Sequence, residues 1–229
     1  MPQQELGIPP TIVRAVQIFV TALAPHLSEG DLRFGGGTAL QARWQHRRST
    51  DADLFCDPQT YATAIRARGE AMERALRDVS ATTAGEGTFV DQIATYTRIE
   101  CVEVTILPAA TLVHPSGSGK FVPGTAVETL TSAEILAGKL VHRLTGAGIA
   151  EPRDIYDLAM AREHDPVALR QAVAALTANQ RKEVAVMIEL LPSNWADSSR
   201  ERPLLDADPN RADLTGLAGL LRHQGTMPP

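Results

Sequence analysis

The residues with the most chemical content lie close together in the chain. The run Phe34-Gly35-Gly36-Gly37-Thr38-Ala39-Leu40 is followed, after ten further residues, by Asp51-Ala52-Asp53. Successive side chains of a strand alternate between faces, so Asp51 and Asp53 project to the same side with Cα atoms roughly 6 to 7 Å apart. Two carboxylates at that separation suit one or two Mg²⁺ ions, which take a few carboxylate oxygens and fill their shell with water and phosphate oxygens. The glycines offer the complementary half: backbone with no Cβ in the way, and amides at the start of a helix whose dipole favours negative charge. Thr38 falls near that helix start, where its hydroxyl either caps the helix or binds a phosphate oxygen. A plainer alternative explains each half alone: glycines that only turn the chain, and aspartates that are solvated strand ends. Taken jointly, the pattern favours a metal beside a triphosphate cradle.

The elements that must position these groups are legible around them. A strand at Leu32–Phe34 runs into the glycine turn, a short helix reads from Thr38 to about Gln45, and a second strand spans Ala52–Cys56. Upstream, Ile12, Val13, Val16, Ile18, Phe19, Val20, Leu23 and Leu27 form a broad helical stripe between Thr11 and Leu27. Downstream, a helix is predicted from Thr60 to Val79, then strands at Thr88–Thr97 and Ile99–Leu107, with turn chemistry from Gly85 and Gly87 before the first. After the Pro115–Gly119 loop and a short extended piece around Phe121, the pattern turns helical. Thr131-Ser-Ala-Glu134 has the form of a capping box and opens a helix from Ser132 to Thr145, which Gly146 and Gly148 stop. Pro152 opens another with Ile155, Leu158 and Ala159 on one face, Asp165-Pro166 caps a third, and Lys182–Leu191 supplies a fourth. From Pro192 onward, Pro, Asp, Ser and Arg predict a loose ending, apart from a weak amphipathic stretch at Leu214–Leu221. The expected architecture is α/β, with a small mixed sheet flanked by helices over residues 1–130 and a helical lobe over residues 131–229.

Composition narrows the function classes. The chain has 229 residues and a net charge of −5, which argues against a protein that coats nucleic acid through clustered Lys and Arg. The densest positive run, Arg43-Trp44-Gln45-His46-Arg47-Arg48, reads either as a local basic patch or as the solvated end of a helix, and composition favours the second. The six histidines are scattered without ligand spacing, so zinc has little support. Cys56 and Cys101 lie in strand-like apolar contexts and read as unpaired thiols of a reducing compartment. No window approaches the roughly 18 apolar residues of a membrane span, and residues 1–16 lack a basic segment leading into an apolar run. A soluble cytoplasmic protein, with no membrane partner, is expected.

Gly36-Gly-Thr-Ala-Leu40 and Arg48-Ser49-Thr50-Asp51-Ala52-Asp53-Leu54-Phe55 together resemble the signature of AbiEii-type toxins, within the polymerase-beta-like nucleotidyltransferase superfamily. Two later segments extend the likeness: Ser132-Ala-Glu-Ile-Leu-Ala-Gly-Lys139-Leu140, and Pro152-Arg153-Asp154-Ile-Tyr-Asp157-Leu158. The resemblance covers about residues 30 to 160 in the right order; Ala52 departs from it, where a branched apolar residue is more usual. It implies a polymerase-beta-like core and Mg²⁺ on Asp51 and Asp53. It also implies triphosphate binding by Gly36, Gly37 and Thr38, with Arg48 and Ser49 beside them. Lys139 would contact phosphate, and Asp154 and Asp157 would complete the catalytic set. Read without it, Asp154 complements a helix dipole, Arg153 and Asp157 form a surface pair, and Lys139 is a solvated lysine. A third carboxylate on a neighbouring strand is common in the superfamily. Glu103, which interrupts the apolar strand Val102-Glu103-Val104, is the candidate third metal ligand, with Glu100 as its competitor.

The implied reaction is in-line attack by an acceptor hydroxyl on the α-phosphate of a nucleoside triphosphate, with an aspartate of the 153–158 helix orienting or deprotonating that hydroxyl. The implied setting is the toxin of a toxin–antitoxin system acting in abortive infection. Its expected acceptor is the tRNA 3′ end, the Arg43–Arg48 run would help to hold RNA, and a cognate antitoxin is the expected protein partner. Transfer to a small molecule such as an antibiotic, transfer to a protein, a non-catalytic nucleotide-binding module and a D-x-D glycosyltransferase are the competing readings.

Overall fold

The computed structural model describes residues 7–83, 87–149, 151–197 and 205–223. The chain divides into two compact units: residues 1–43, 49–111 and 117–130 form the first, and residues 44–48, 112–116 and 131–229 the second.

The first unit is built on a seven-stranded mixed sheet. Its strands are β1 (Leu32–Gly35), β2 (Ala52–Cys56), β3 (Thr88–Val90), β4 (Thr95–Ile99), β5 (Val102–Pro108), β6 (Gly117–Phe121) and β7 (Glu128–Leu130), in the order β3-β4-β5-β2-β1-β7-β6. β2 is near the centre, antiparallel to β1 with Gly35 opposite Asp53, and parallel to β5 with Ala52 opposite Val104 and Asp53 opposite Thr105. Strict alternation sets the faces: Ala52, Leu54 and Cys56 are buried, while Asp53 and Phe55 are half-buried. Burial raises the Cys56 thiol to about 11, helped by Asp31 and Asp57, so it is inert at neutral pH.

Two helices pack on this sheet. α1 (Pro10–Leu23) starts on a proline, whose missing amide costs nothing in a first turn, and buries Ile12, Ala15, Val16, Phe19, Val20 and Leu23. Losing one of the larger of these would cost about 2–5 kcal/mol. α3 (Pro58–Thr82) is capped by the Asp57 carboxylate, which accepts from the Gln59 and Thr60 amides at 3.0 Å each. Between β1 and β2 lies α2 (Gly36–Trp44). The strand expected over Thr88–Thr97 is two strands. Asp91 accepts from the amides of Ile93 and Ala94 at 2.7 and 2.8 Å and folds the chain into a hairpin; an aspartate turn without glycine supplied the break.

The second unit is helical: α4 (Ser132–Gly138), α5 (Pro152–His164), α6 (Pro166–Ala174), α7 (Ala178–Glu189) and α8 (Leu214–His223). α4 passes directly into a π-helical segment, Lys139–Ala147, which ends at Gly148 with φ of 66°. The capping box expected at Thr131 is half made. The Thr131 hydroxyl accepts from the Glu134 amide at 3.2 Å, but the Thr131 amide donates to the Ser116 carbonyl. Glu134 instead accepts from the loop amides of Leu112 and Val113 at 3.0 and 2.6 Å. A reciprocal box does form at Thr177, whose amide donates to Gln180 Oε1 and whose hydroxyl accepts from the Gln180 amide, so α7 begins four residues before the expected Lys182. Asp165 caps α6 as expected, accepting from the Ala168 amide at 3.0 Å. Of the ending expected to be loose, residues 198–204 and 224–229 lie outside the described residues; within the described part, α8 buries Leu217, Ala218 and Leu221 and packs on α7. No helix among the described residues is long and apolar enough to cross a membrane.

Candidate active site

In the first unit, β1 ends at Gly35 and α2 begins at Gly36, with no residue between them. Gly36 has φ of +66°, a conformation that L side chains adopt at a cost of roughly 1–2 kcal/mol. A Cβ there would overlap Asp53 Oδ2 and come within 2.7 Å of Asp53 Cγ. The Asp53 carboxylate thus lies directly over the turn, in space that exists because residue 36 is glycine. A Cβ on Gly35 would meet Phe55 at 2.7 Å and Leu130 at 2.8 Å, so this glycine lets the strands close around the turn.

Thr38 is fully buried, and its hydroxyl donates to the Asp51 carbonyl at 2.5 Å. Of the two roles open to it in sequence, neither is what this bond performs: it ties the first turn of α2 to the entry of β2. The Asp51 carboxylate accepts from the Thr50 hydroxyl at 3.0 Å. The Ser49 amide donates to Gln41 Oε1 at 2.6 Å, a second tie from α2 to the same stretch. Asp51 and Asp53 are both half-buried while Ala52 between them is fully buried, so the two carboxylates share a face.

This pair fits a hard divalent cation. It offers carboxylate oxygens on one face, beside the glycine turn that opens α2. Glu103 stands opposite Arg98 across the β4–β5 pair and is ion-paired with its guanidinium. Among the described residues, no three His, Cys, Asp or Glu side chains gather into a metal-holding group.

Lys139, Asp154 and Asp157 belong to the second unit, and the structure gives them a setting that differs from a solvated surface. Asp154 and Asp157, one turn apart on α5, are 1 % and 0 % exposed. Lys139, the first residue of the π-helical segment, donates to Asp154 Oδ1 at 2.6 Å and lies 3.0 Å from Asp157 Oδ2. Arg143 also pairs with Asp154, and Arg153 pairs with Glu151 at 3.1 Å. Burial pushes the Asp154 carboxyl up, but Lys139 and Arg143 outweigh it and hold the group below its usual range. Burial acts on Asp157 in the same way, and there Arg47 and Lys139 hold the carboxyl well below that range. Both are fixed anions at neutral pH, poorly matched to accepting a proton.

Neither reading of the Arg43–Arg48 run holds in full. His46 and Arg47 are buried, with His46 Nε2 2.7 Å from Asp157 Oδ1 and Arg47 bidentate on Asp157 at 2.6 and 2.8 Å. Arg43 donates to the Leu130 carbonyl. Arg48 is the exposed arginine of the run; its amide donates to the Leu205 carbonyl at 2.9 Å and its guanidinium lies 3.2 Å from Asp206. The burial of His46 and Arg47 was not legible in the sequence, because the countercharge on Asp157 lies 110 residues from Arg47.

Comparison with known proteins bears on this arrangement. A family model described as "Nucleotidyl transferase AbiEii toxin, Type IV TA system" matches residues 18–217. No curated protein matches the chain in sequence. Among solved structures, JHP933 from Helicobacter pylori is similar at 15% identity and a TM-score of 0.51, over 95% of this chain and 91% of that one. An H. pylori protein described as a nucleotidyltransferase aligns at 15% identity and a TM-score of 0.50, over 93% and 91%. The structure of ANT(2")-Ia with adenylyl-2"-tobramycin aligns at 17% identity and a TM-score of 0.38, over 74% of this chain and 92% of that one. At such identities the two H. pylori likenesses speak for the fold alone, and the third carries no argument.

Proposed function

The chain belongs to the AbiEii nucleotidyl transferase family, and from that premise we propose that it is the toxin of a type IV toxin–antitoxin system and transfers a nucleoside monophosphate from a nucleoside triphosphate to the 3′ end of tRNA. The observation that carries the proposal is the Asp53 carboxylate lying over the Gly36 turn, with Asp51 on the same face. Carboxylate and glycine turn are what a metal-bound triphosphate requires of a protein.

In this reading Asp51 and Asp53 would hold Mg²⁺, with Glu103, which here pairs with Arg98, as the third ligand. When bound, Mg²⁺ supplies positive charge to the phosphate oxygens and the leaving pyrophosphate. Gly36 and Gly37 offer backbone amides to the triphosphate at the start of α2. Thr38 acts through its bond to the Asp51 carbonyl and fixes where that carboxylate begins. Arg48 and Ser49 are assigned to the nucleotide by the family pattern, as Lys139 is to phosphate. Asp154 and Asp157 serve by holding the Lys139 amino group in place, and the acceptor hydroxyl loses its proton to solvent or to a group outside α5. With His46 and Arg47 buried, RNA binding would rest on other cations, Arg48 among them. A cognate antitoxin is the protein partner, and the working compartment is the cytoplasm.

The test is to incubate the purified protein with Mg²⁺ and each α-labelled nucleoside triphosphate, offering total tRNA, protein or aminoglycoside as acceptor. Label at the tRNA 3′ end, absent with Asp53→Asn, supports the proposal. Label on protein or on the small molecule moves the acceptor, and no label on any acceptor with any nucleotide contradicts it.

A further inference from the structure

One carboxylate in the second unit carries more partners than the proposed reaction uses. Asp157 accepts two bonds from Arg47, faces His46 Nε2, and lies 3.0 Å from Lys139 Nζ. His46 is further held by its rings: it stacks on Tyr156 with centroids 5.8 Å apart and meets Trp44 edge-on at 5.4 Å. Trp44 in turn stacks on His164 at 5.8 Å. His46 Nδ1 is buried without a hydrogen-bond partner, so Asp157 supplies that ring's polar anchor. The next residue, Arg48, is fixed through its backbone by the Leu205 carbonyl.

These contacts fall on a connector. Residues 44–48 carry the chain from the end of α2 towards β2, and Asp51 follows Arg47 by four residues. A buried bidentate Arg–carboxylate pair is directional and stiff, and breaking it by removing one partner leaves the other charge buried without compensation. A cluster built this way suits positioning. It does not suit proton transfer, since Asp157 is closed to solvent and held as an anion.

We propose that His46, Arg47 and Asp157 form a positioning clamp for nucleotidyl transfer, fixing the connector from which the chain presents Asp51, while Asp157 and Asp154 fix the amino group of Lys139. The clamp's role in turnover rests on the transfer reaction proposed at Asp51 and Asp53; its structural half does not.

The test compares the full-length protein with Arg47→Lys, Arg47→Met and Asp157→Asn by amide hydrogen exchange over residues 44–51 and by steady-state kinetics. Arg47→Met is expected to speed exchange at the Arg48 and Ser49 amides at least tenfold. It should lower kcat by on the order of 10²-fold, the cost of a misplacement of about 1 Å, and raise the Mg²⁺ concentration for half-maximal rate. The acceptor KM and the shape of the pH–rate profile should stay as in the wild type, and Arg47→Lys should recover part of the loss. Wild-type exchange over 44–51 in the Arg47 variants overturns the clamp, as does a lower kcat with an unchanged Mg²⁺ requirement. Loss of one ionisation from the pH–rate profile in Asp157→Asn also overturns it, in favour of a general base. If Asp157→Asn does not fold, the two Arg47 variants decide alone. If the wild type transfers no nucleotide, the transfer proposal fails, and the exchange data still decide whether the connector is clamped.

Discussion

Replacing Gly36 with alanine probes the contact on which the active site is built. Two costs add. An L residue at φ of +66° carries roughly 1–2 kcal/mol of backbone strain. The new Cβ also overlaps Asp53 Oδ2 and sits 2.7 and 2.8 Å from Asp53 Cγ and Cβ, and overpacking of this kind costs about 1–3 kcal/mol. If Asp53 stays in place, Gly36→Ala loses about 2–5 kcal/mol of stability. If the half-buried Asp53 swings away, the loss falls towards the strain alone, and the carboxylate leaves its position over the turn. Turnover then drops by on the order of 10²-fold. Urea unfolding at constant pH, read beside pyrophosphate release, separates the two routes. A double-mutant cycle with Asp53→Ala isolates the contact: removing the carboxylate relieves most of the overlap, so the two costs should fail to add by at least about 1 kcal/mol. A Gly36→Ala protein within about 0.5 kcal/mol of wild type that keeps its turnover would refute the reasoning, as would costs that add within about 0.5 kcal/mol.

Acid unfolding should follow the buried carboxylates. Asp154 and Asp157 are held below their usual range in the folded state, so their contribution is complete above the unfolded value of about 3.9 and is lost as pH falls below it through the folded values. His164, which burial holds below its usual range, lowers stability separately as pH falls below about 6.5; a urea midpoint that stays level as pH falls from about 4 to 2 would contradict the assignment to the two aspartates. Thr38→Val strands the Asp51 carbonyl and should cost about 1–3 kcal/mol by urea unfolding, whereas Thr38→Ser, which keeps the donor, should cost under about 1 kcal/mol. Glu134→Ala leaves the Leu112 and Val113 amides without their acceptor and should lower stability by about 1–3 kcal/mol in thermal melts, while Glu134→Gln, which keeps one acceptor oxygen, should lose less.

Features read correctly from the sequence are those whose cause is local. The glycine turn and the Asp51–Asp53 strand are legible because glycine conformation and strand alternation act within a few residues. The helix expected over Thr60–Val79, which runs from Pro58 to Thr82, and the Asp165 cap follow from chemistry just as near. Where a side chain had two possible partners, sequence reasoning chose the nearer one: Glu134 was assigned to its own helix start and instead holds the loop amides at 112 and 113. The turn at Asp91 was missed because it has no glycine to mark it. The π-helical segment at Lys139 has no distinctive composition; its geometry accompanies the pairing of Lys139 with Asp154 and Asp157. His46 and Arg47 were misread for the most general reason: a charge run looks solvated until its buried counterion is known, and Asp157 lies 110 residues along the chain.

The most direct test of nucleotidyl transfer at Asp51 and Asp53 is Mg²⁺-dependent pyrophosphate release from nucleoside triphosphate in the presence of tRNA. Wild type is to be measured beside Asp51→Asn and Asp53→Asn proteins with unfolding midpoints near the wild-type value. The expected result is release by the wild type, with each variant slower by at least about 10²-fold, since each removes a ligand of the ion that carries the transition-state charge. Variants that are folded and as fast as the wild type would contradict the assignment of the site.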